Sequence, residues 1–410
     1  VMAGRISGHP AHFKKILRDV LDILQQNHPS LLCRIKDGPP PFFETDVVLD
    51  IPLQVIPRQG DRHWIRETEK ELLLPMPWST GPLIRATLLE ARDKCDLLIT
   101  LCHITADATS GVKFYKQLLT LAGDSMHGWA LLLDTLPELP PIEDLLNPMV
   151  KQKALALTAE ELAPPLIQPL RFPGDREVPP SQRVTRVIQY VLPAHEAKKL
   201  MIKSRKEKAS VHTALCAALM QTILRETREI LGGSQKGPAL MGCLTPVNVR
   251  PHLSQPIEDY MGNFISNAVH YQFIDDAVST WEAARETKKA LQKELEKGKD
   301  IRALLEVSKI LRPAETPVEA LARLKDAFAP TAVTNMGQWD IPSKSRELVL
   351  EELHYAPAMN PAVRDGFGLS VCGYHGNIIL NFLYAEPFVS ASRADKMAAD
   401  TMKRLKMAIW

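Results

Sequence analysis

The run Asp96-Leu97-Leu98-Ile99-Thr100-Leu101-Cys102 presents almost no polar face. A strand of that kind has to be covered on both sides, which a layered α/β fold provides and a half-solvated ribbon does not. Directly after it the chain turns polar, with His103, Thr105 and Asp107, and residues 109–122 then return to helical period with Val112, Tyr115, Leu118, Leu119 and Ala122 on one side. Thr109 or Ser110 is the expected helix cap and Gly123 the expected stop. A polar loop between a buried strand and a helix is where a parallel or mixed sheet opens its ligand crevice.

Similar elements recur on both sides of a proline-rich stretch. Before it come a helix whose stripe is Phe13, Ile16, Leu17, Val20, Leu21 and Leu24, ended by His28-Pro29, then a strand over 31–35, a charged helix over 62–74 and an alternating strand over 83–89. Residues 136–180 carry ten prolines and read as a crossover rather than a domain. Beyond it lie a strand at 183–191, a helix opened by Pro193, an apolar helix at 211–224, a strand at 241–249, a Gly262-Asn263 turn leading into an extended segment, and one long charged helix over 281–309. The charges of that long helix read as a solvated face with i,i+4 pairs, and His212 as a helix-start residue. Strands at 333–336, 347–354, 368–374 and 377–384 are expected to complete a second mixed sheet, and 393–409 forms an amphipathic helix. The fold class is therefore α/β, with residues 1–178 and 179–410 as two subdomains, each a mixed β-sheet with helices.

Composition narrows the function. Fifty Lys and Arg against 48 Asp and Glu leave a formal net charge of +2, and no long basic stripe stands out along the chain, so nucleic acid and anionic membrane are poor default partners. The six cysteines, at 33, 95, 102, 216, 243 and 372, show no metal-ligand spacing and read as buried small hydrophobes of a reducing, cytoplasmic setting. No metal is expected. Apolar runs such as 129–133 are far shorter than the ~18 residues of a membrane span, and the opening Val1-Met2-Ala3-Gly4 has no signal-peptide pattern.

His103 and Asp107 are four residues apart on a strand end and loop, so the helical HExxH zinc arrangement does not apply. An imidazole at the mouth of a buried strand can serve as a general base near neutral pH; the alternative is a pair of polar loop residues satisfied by their neighbours. A Cys102-His103 dyad is disfavoured because adjacent strand residues point to opposite faces.

His103-Ile104-Thr105-Ala106-Asp107 resembles the HxxxD signature of the coenzyme-A-dependent acyltransferase superfamily, which includes chloramphenicol acetyltransferase, condensation domains and alcohol or polyketide-associated acyltransferases. Residues 246–251 (Pro-Val-Asn-Val-Arg-Pro) followed by Gly262-Asn263-Phe264, and Thr334-Asn335-Met336-Gly337, resemble second-half elements of the same enzymes. The resemblance implies two chloramphenicol-acetyltransferase-like subdomains with an active-site tunnel between them and catalytic roles for His103 and Asp107. It further implies an Arg250 partner for Asp107, and supporting roles for Asn335 and Thr334 beside the carbonyl and for Asn263 in its turn. The implied acyl donor is a thioester of coenzyme A or of phosphopantetheine on an acyl carrier protein, neither bound permanently, and the acceptor is a small molecule, lipid or polyketide. Two departures limit what carries over. Cys102 and Ala108 stand where condensation domains have a first His and a Gly, and Asp365-Gly366-Phe367-Gly368 only partly echoes the plant-type DFGWG motif. A silent, carrier-binding scaffold with this fold is the alternative class.

Overall fold

In the computed structural model, which describes residues 1–45, 48–129, 135–233, 237–323, 331–359 and 366–410, the alternating patterns become two six-stranded sheets. Asp365 and most of the 129–133 run lie outside the described residues. In chain order the elements begin β1 (Met2–Ser7), α1 (Phe13–Asn27), β2 (Arg34–Lys36), β3 (Phe42–Glu44), β4 (Leu53–Pro57), α2 (His63–Leu73), β5 (Ile84–Glu90), β6 (Lys94–Leu101) and α3 (Ala108–Ser125). The proline-rich stretch holds the short helices α4 (Ile142–Leu145), α5 (Pro148–Leu155) and α6 (Ala159–Leu162). There follow β7 (Val184–Leu192), α7 (Ala194–Lys206), α8 (Val211–Ile230), β8 (Ala239–Asn248), β9 (Ile265–Ile274), α9 (Thr280–Lys297), α10 (Lys299–Leu311) and α11 (Pro317–Arg323). The chain closes with β10 (Thr331–Gln338), β11 (Lys344–Ser345), β12 (Leu348–Tyr355), β13 (Phe367–Tyr374), β14 (Asn377–Glu386) and α12 (Ala391–Ile409).

The first sheet runs β11-β12-β1-β6-β5-β4 and the second β7-β14-β13-β10-β8-β9. Both are mixed: β4 lies parallel to β5, and β10 parallel to β13 and β8, while the remaining pairs are antiparallel. The apolar run becomes β6, paired on one edge by β5 and on the other by β1. The stripe predicted for the first helix is buried in α1, where it shares a core with Phe114, Tyr115, Leu118 and Leu119 of α3.

Four expectations need correction. Residues 347–354 were assigned to the second sheet, yet β12 pairs antiparallel with β1 in the first. The sequence reading contains no strand at the extreme amino terminus, but Met2 to Ile6 are buried there as β1, whose free edge needs a partner. Leu348, Leu350, Leu353 and Tyr355 then join the core built by α1 and α3. The long helix over 281–309 is two helices, because Gly298 adopts a left-handed φ of 76° and ends α9 while opening α10. Gly123 does not stop α3; it is buried within the helix, where a Cβ would come 2.6 Å from Ser345 Oγ.

The helix layer over the second sheet conceals two imidazoles. His212 sits in the first turn of α8, as expected, with Nε2 3.0 Å from Thr245 Oγ1 and 3.5 Å from Cys216 Sγ. His270 pairs across the strands with Cys243, is 0% exposed, and has no hydrogen-bond partner on either ring nitrogen among the described residues. Burial pushes both imidazoles down to about 4. The unfolded chain takes up protons below about pH 6.5 that these folded rings refuse, so stability is full above that pH and is lost as pH falls toward about 4. Each ring contributes ~3 kcal/mol to that loss, and burial lowers His28 and His354 in the same direction. Urea unfolding across this range should therefore show strong acid sensitivity, and His270→Met should reduce the proton uptake on unfolding by about one.

Candidate active site

β6 ends at Leu101, and the chain turns at once: the amides of Thr105 and Ala106 donate to the Cys102 carbonyl at 3.0 and 3.2 Å, and Thr105 Oγ1 donates to it at 3.1 Å. His103 and Ile104 occupy the exposed tip of this turn. The His103 ring has no hydrogen-bond or ion-pair partner among the described residues. Cys102 is half-buried, and burial raises its thiol above the ordinary range, the opposite of what an activated nucleophile needs.

Asp107 behaves differently. It caps α3, accepting the Ser110 amide on Oδ1 at 2.8 Å, so the helix begins two residues earlier than a Thr109 cap requires and three earlier than a Ser110 cap. Its side chain is 1% exposed, and the second half of the chain supplies the other donors. Arg250 Nη1 donates to Oδ2 at 2.8 Å and Nη2 to Oδ1 at 3.1 Å, while the Phe264 amide donates to Oδ2 at 3.0 Å. The Asp107 amide in turn donates to the Gly262 carbonyl at 3.0 Å. A two-pronged guanidinium contact of this kind fixes orientation as well as charge.

Ser110, which the sequence suggested only as a cap, is a second hub. Its hydroxyl donates to the Gly262 carbonyl at 2.8 Å and accepts from the Gly262 amide at 3.1 Å and Arg250 Nη2 at 3.0 Å. Gly262 leaves room for the neighbouring ring, since a Cβ there would lie 2.4 Å from Phe264, and the Arg250 guanidinium stacks 4.7 Å from the centroid of that ring. Lys113 adds bonds to the Glu258 carbonyl and to Asp259. The sequence pointed to Thr109 or Ser110 as the cap rather than Asp107, and nothing in it signals the Ser110 bonds across the halves.

Arg250 follows β8 and is brought to Asp107, while Asn263 lies exposed between Gly262 and Phe264 without a side-chain partner among the described residues. Thr334 and Asn335 lie on β10 and make their bonds elsewhere: Thr334 Oγ1 accepts from the Tyr355 hydroxyl at 2.8 Å, and Asn335 Oδ1 accepts from the Gly337 amide at 2.9 Å. β8 and β10 run parallel but share only the register pairs Thr331 with Cys243 and Ala332 with Leu244. Beyond these, β8 continues along β9, whereas β10 follows β13 with an irregularity after Asn335. The two strands thus part toward their carboxyl ends, the side on which Arg250 meets the His103 loop.

Two depressions beside α2, both lined by Gln59, His63 and Arg66, contain none of these residues, and both His63 nitrogens are engaged, by the Gln59 amide at 3.2 Å and by Glu67 at 3.1 Å. Among the described residues no group of three or more His, Cys, Asp or Glu side chains could hold a metal ion, and no helix is long and apolar enough to cross a membrane.

Removing one partner of a buried pair strands the other. Arg250→Met should cost about 3 kcal/mol in urea unfolding, and Ser110→Ala about 1 kcal/mol. Combining Arg250→Met with Asp107→Asn should cost clearly less than the sum of the single changes. Crystals of Asp107→Asn should show the His103 turn displaced.

Residues 181–375 match the family described as phthiocerol/phthiodiolone dimycocerosyl transferase C-terminus. No curated protein matches the chain in sequence. Among solved structures, polyketide synthase associated protein 5 from Mycobacterium tuberculosis superposes with a TM-score of 0.68 at 16% identity, over 100% of this chain and 92% of that one. The trichothecene 15-O-acetyltransferase TRI3 from Fusarium sporotrichioides gives 0.72 at 15% identity, covering 100% and 90%. The first condensation domain of the CDA synthetase gives 0.73 at 13% identity, with the same coverage. With its two mixed sheets and flanking helices, the chain has the fold of the chloramphenicol-acetyltransferase and condensation-domain superfamily.

Proposed function

We propose that this protein is an acyltransferase that moves an acyl group from a thioester, of coenzyme A or of a phosphopantetheine-bearing carrier protein, to a hydroxyl or amine of a small-molecule, lipid or polyketide acceptor. His103 is its general base. Residues 1–178 and 179–410 form the two acyltransferase-like halves, and the substrates meet in a tunnel between them in the cytoplasm. The observation that carries this reading is the division of labour in the loop: Asp107 has its carboxylate occupied by four donors, while the exposed His103 imidazole, four residues earlier, is unbonded among the described residues. Similarity to the 15-O-acetyltransferase and to the dimycocerosyl transferase family supports the reaction class.

In this reading His103 takes the proton of the acceptor as its oxygen or nitrogen attacks the thioester carbonyl. The tetrahedral intermediate collapses by breaking the carbon–sulfur bond, and the imidazolium returns the proton to the departing thiolate. The acyl group goes directly from donor to acceptor, with no acyl-enzyme. Thr334 keeps a hydroxyl proton and Asn335 its amide N–H groups for the developing oxyanion, because the bonds each makes use oxygen as acceptor. Asp107 and Arg250 hold the loop, and Asn263 shapes the turn that meets it.

A carrier-binding scaffold is the second reading, favoured by one observation: among the described residues no side chain orients the His103 ring. Thiol release from acetyl-coenzyme A and longer acyl thioesters, measured with a panel of alcohols and amines, separates the two. The parent should turn over, and His103→Ala should lose about 100-fold or more in rate while keeping its unfolding midpoint. Unchanged turnover in His103→Ala removes it as the base, and an inactive parent across the panel favours the scaffold.

A further inference from the structure

Remote in sequence from the His103 loop, α7 and the end of α12 carry several cations that have no carboxylate partner among the described residues. α7 buries Ala197, Leu200 and Ser204, so the opposite stripe of Lys198, Met201, Ile202 and Arg205 faces outward, with Met201 and Ile202 each 45% exposed. The last turns of α12 repeat the arrangement: Leu405 and Ile409 are buried, while Lys403, Lys406 and Met407 face outward, Met407 at 70% exposure. The two helices pack side by side, and Lys199 Nζ lies 3.2 Å from the centroid of the Trp410 ring, which joins the stripes.

Lys198, Arg205, Lys206, Lys403 and Lys406 have no carboxylate partner among the described residues. The acid at the end of α7, Glu207, is already shared by Lys203 and Arg285. A whole-chain net charge of +2 hides this excess, because most other cations are matched where they lie. The whole-chain sum made an anionic membrane a poor default partner; the local surface reverses that reading. Its apolar side chains alternate with cations along two adjacent helices, and the cations carry aliphatic stems that can themselves enter an apolar boundary. Soluble polyanions reward charge but not exposed Met and Ile; a bilayer interface rewards both, through headgroup charge and shallow burial of apolar groups.

We propose that the surface formed by α7 and the end of α12 docks the protein onto an anionic lipid bilayer, with its cations against the headgroup phosphates and Met201, Ile202 and Met407 entering the boundary with the acyl chains. This docking stands independently of the acyl-transfer reading.

Flotation of the full chain tests it, using vesicles of phosphatidylcholine alone or with about 30 mol% phosphatidylglycerol. The chain should float with the anionic vesicles, not with the neutral ones, and less as salt rises. Lys198→Gln with Arg205→Gln should lower the partition coefficient about 30-fold, and Met201→Ser with Ile202→Ser should lower it without changing the salt slope. The control Lys14→Gln with Lys15→Gln, which removes the same charge from exposed positions of α1, should stay within about twofold of the parent. Equal flotation on neutral vesicles, an unchanged Lys198→Gln/Arg205→Gln variant, or an equal loss in the α1 control overturns the proposal. Binding to heparin or polyglutamate without flotation also overturns it and assigns the surface to a soluble polyanion or acidic protein. Thermal melts of all variants matching the parent keep each loss attributable to the surface.

Discussion

A carboxylate withdrawn from water is unfavourable until its lone pairs are met by donors, and Asp107 cannot find enough of them in its own half of the chain. Its own helix offers the Ser110 amide; Arg250 and the Phe264 amide come from more than 140 residues away. Satisfying this one group therefore requires the two halves to meet at this place and in this orientation. The bonds of Ser110 and of the Asp107 amide to Gly262 reinforce the same register. The turn that carries His103 is continuous with this arrangement, so its position is set by a contact that has no proton to exchange with substrate.

A second set of contacts joins the halves through different elements. Glu69 of α2 accepts the Val187 amide and the Arg186 guanidinium of β7, each at 3.0 Å. His354, carried into the first sheet by β12, stacks on Trp64 at 4.1 Å and reaches Gln189 of β7 at 3.4 Å. The strand that leaves the second half for the first thus brings its own seam with it. With β12 built into one sheet and β13 into the other, the halves cannot separate as independent bodies without unpairing a strand.

Charge on this chain is handled in two contrasting ways. Asp96 is buried yet held by Arg5 at 2.8 Å and Arg58 at 2.7 Å, and the Asp107 pair is likewise closed. The surface of α7 and α12 is instead left open. Buried ions that are paired serve geometry, whereas clustered cations without partners retain their attraction for an external anion.

Much of this was readable from local pattern. Periodicity located α1, α3, α8 and α12, the unbroken apolar run marked β6 as an inner strand, and ten prolines marked the crossover, because each depends on residues within one or two turns of one another. HxxxD and the Arg250 segment carried a resemblance to a superfamily because their spacing is itself a property of the sequence, and the fold agrees at that level. What the tertiary structure alone decided were partnerships: β1 recruiting β12 from the far half, Ser110 bonding Gly262, Thr334 accepting from Tyr355, and α7 packing beside α12. Sheet edges and buried polar groups take whichever distant donor, acceptor or strand the packed chain brings within reach, and a linear pattern carries no record of that distance. Conformational preference was therefore set residue by residue in the sequence, while the choice between His103 as a free imidazole and Asp107 as an engaged carboxylate was made only when the two halves came together.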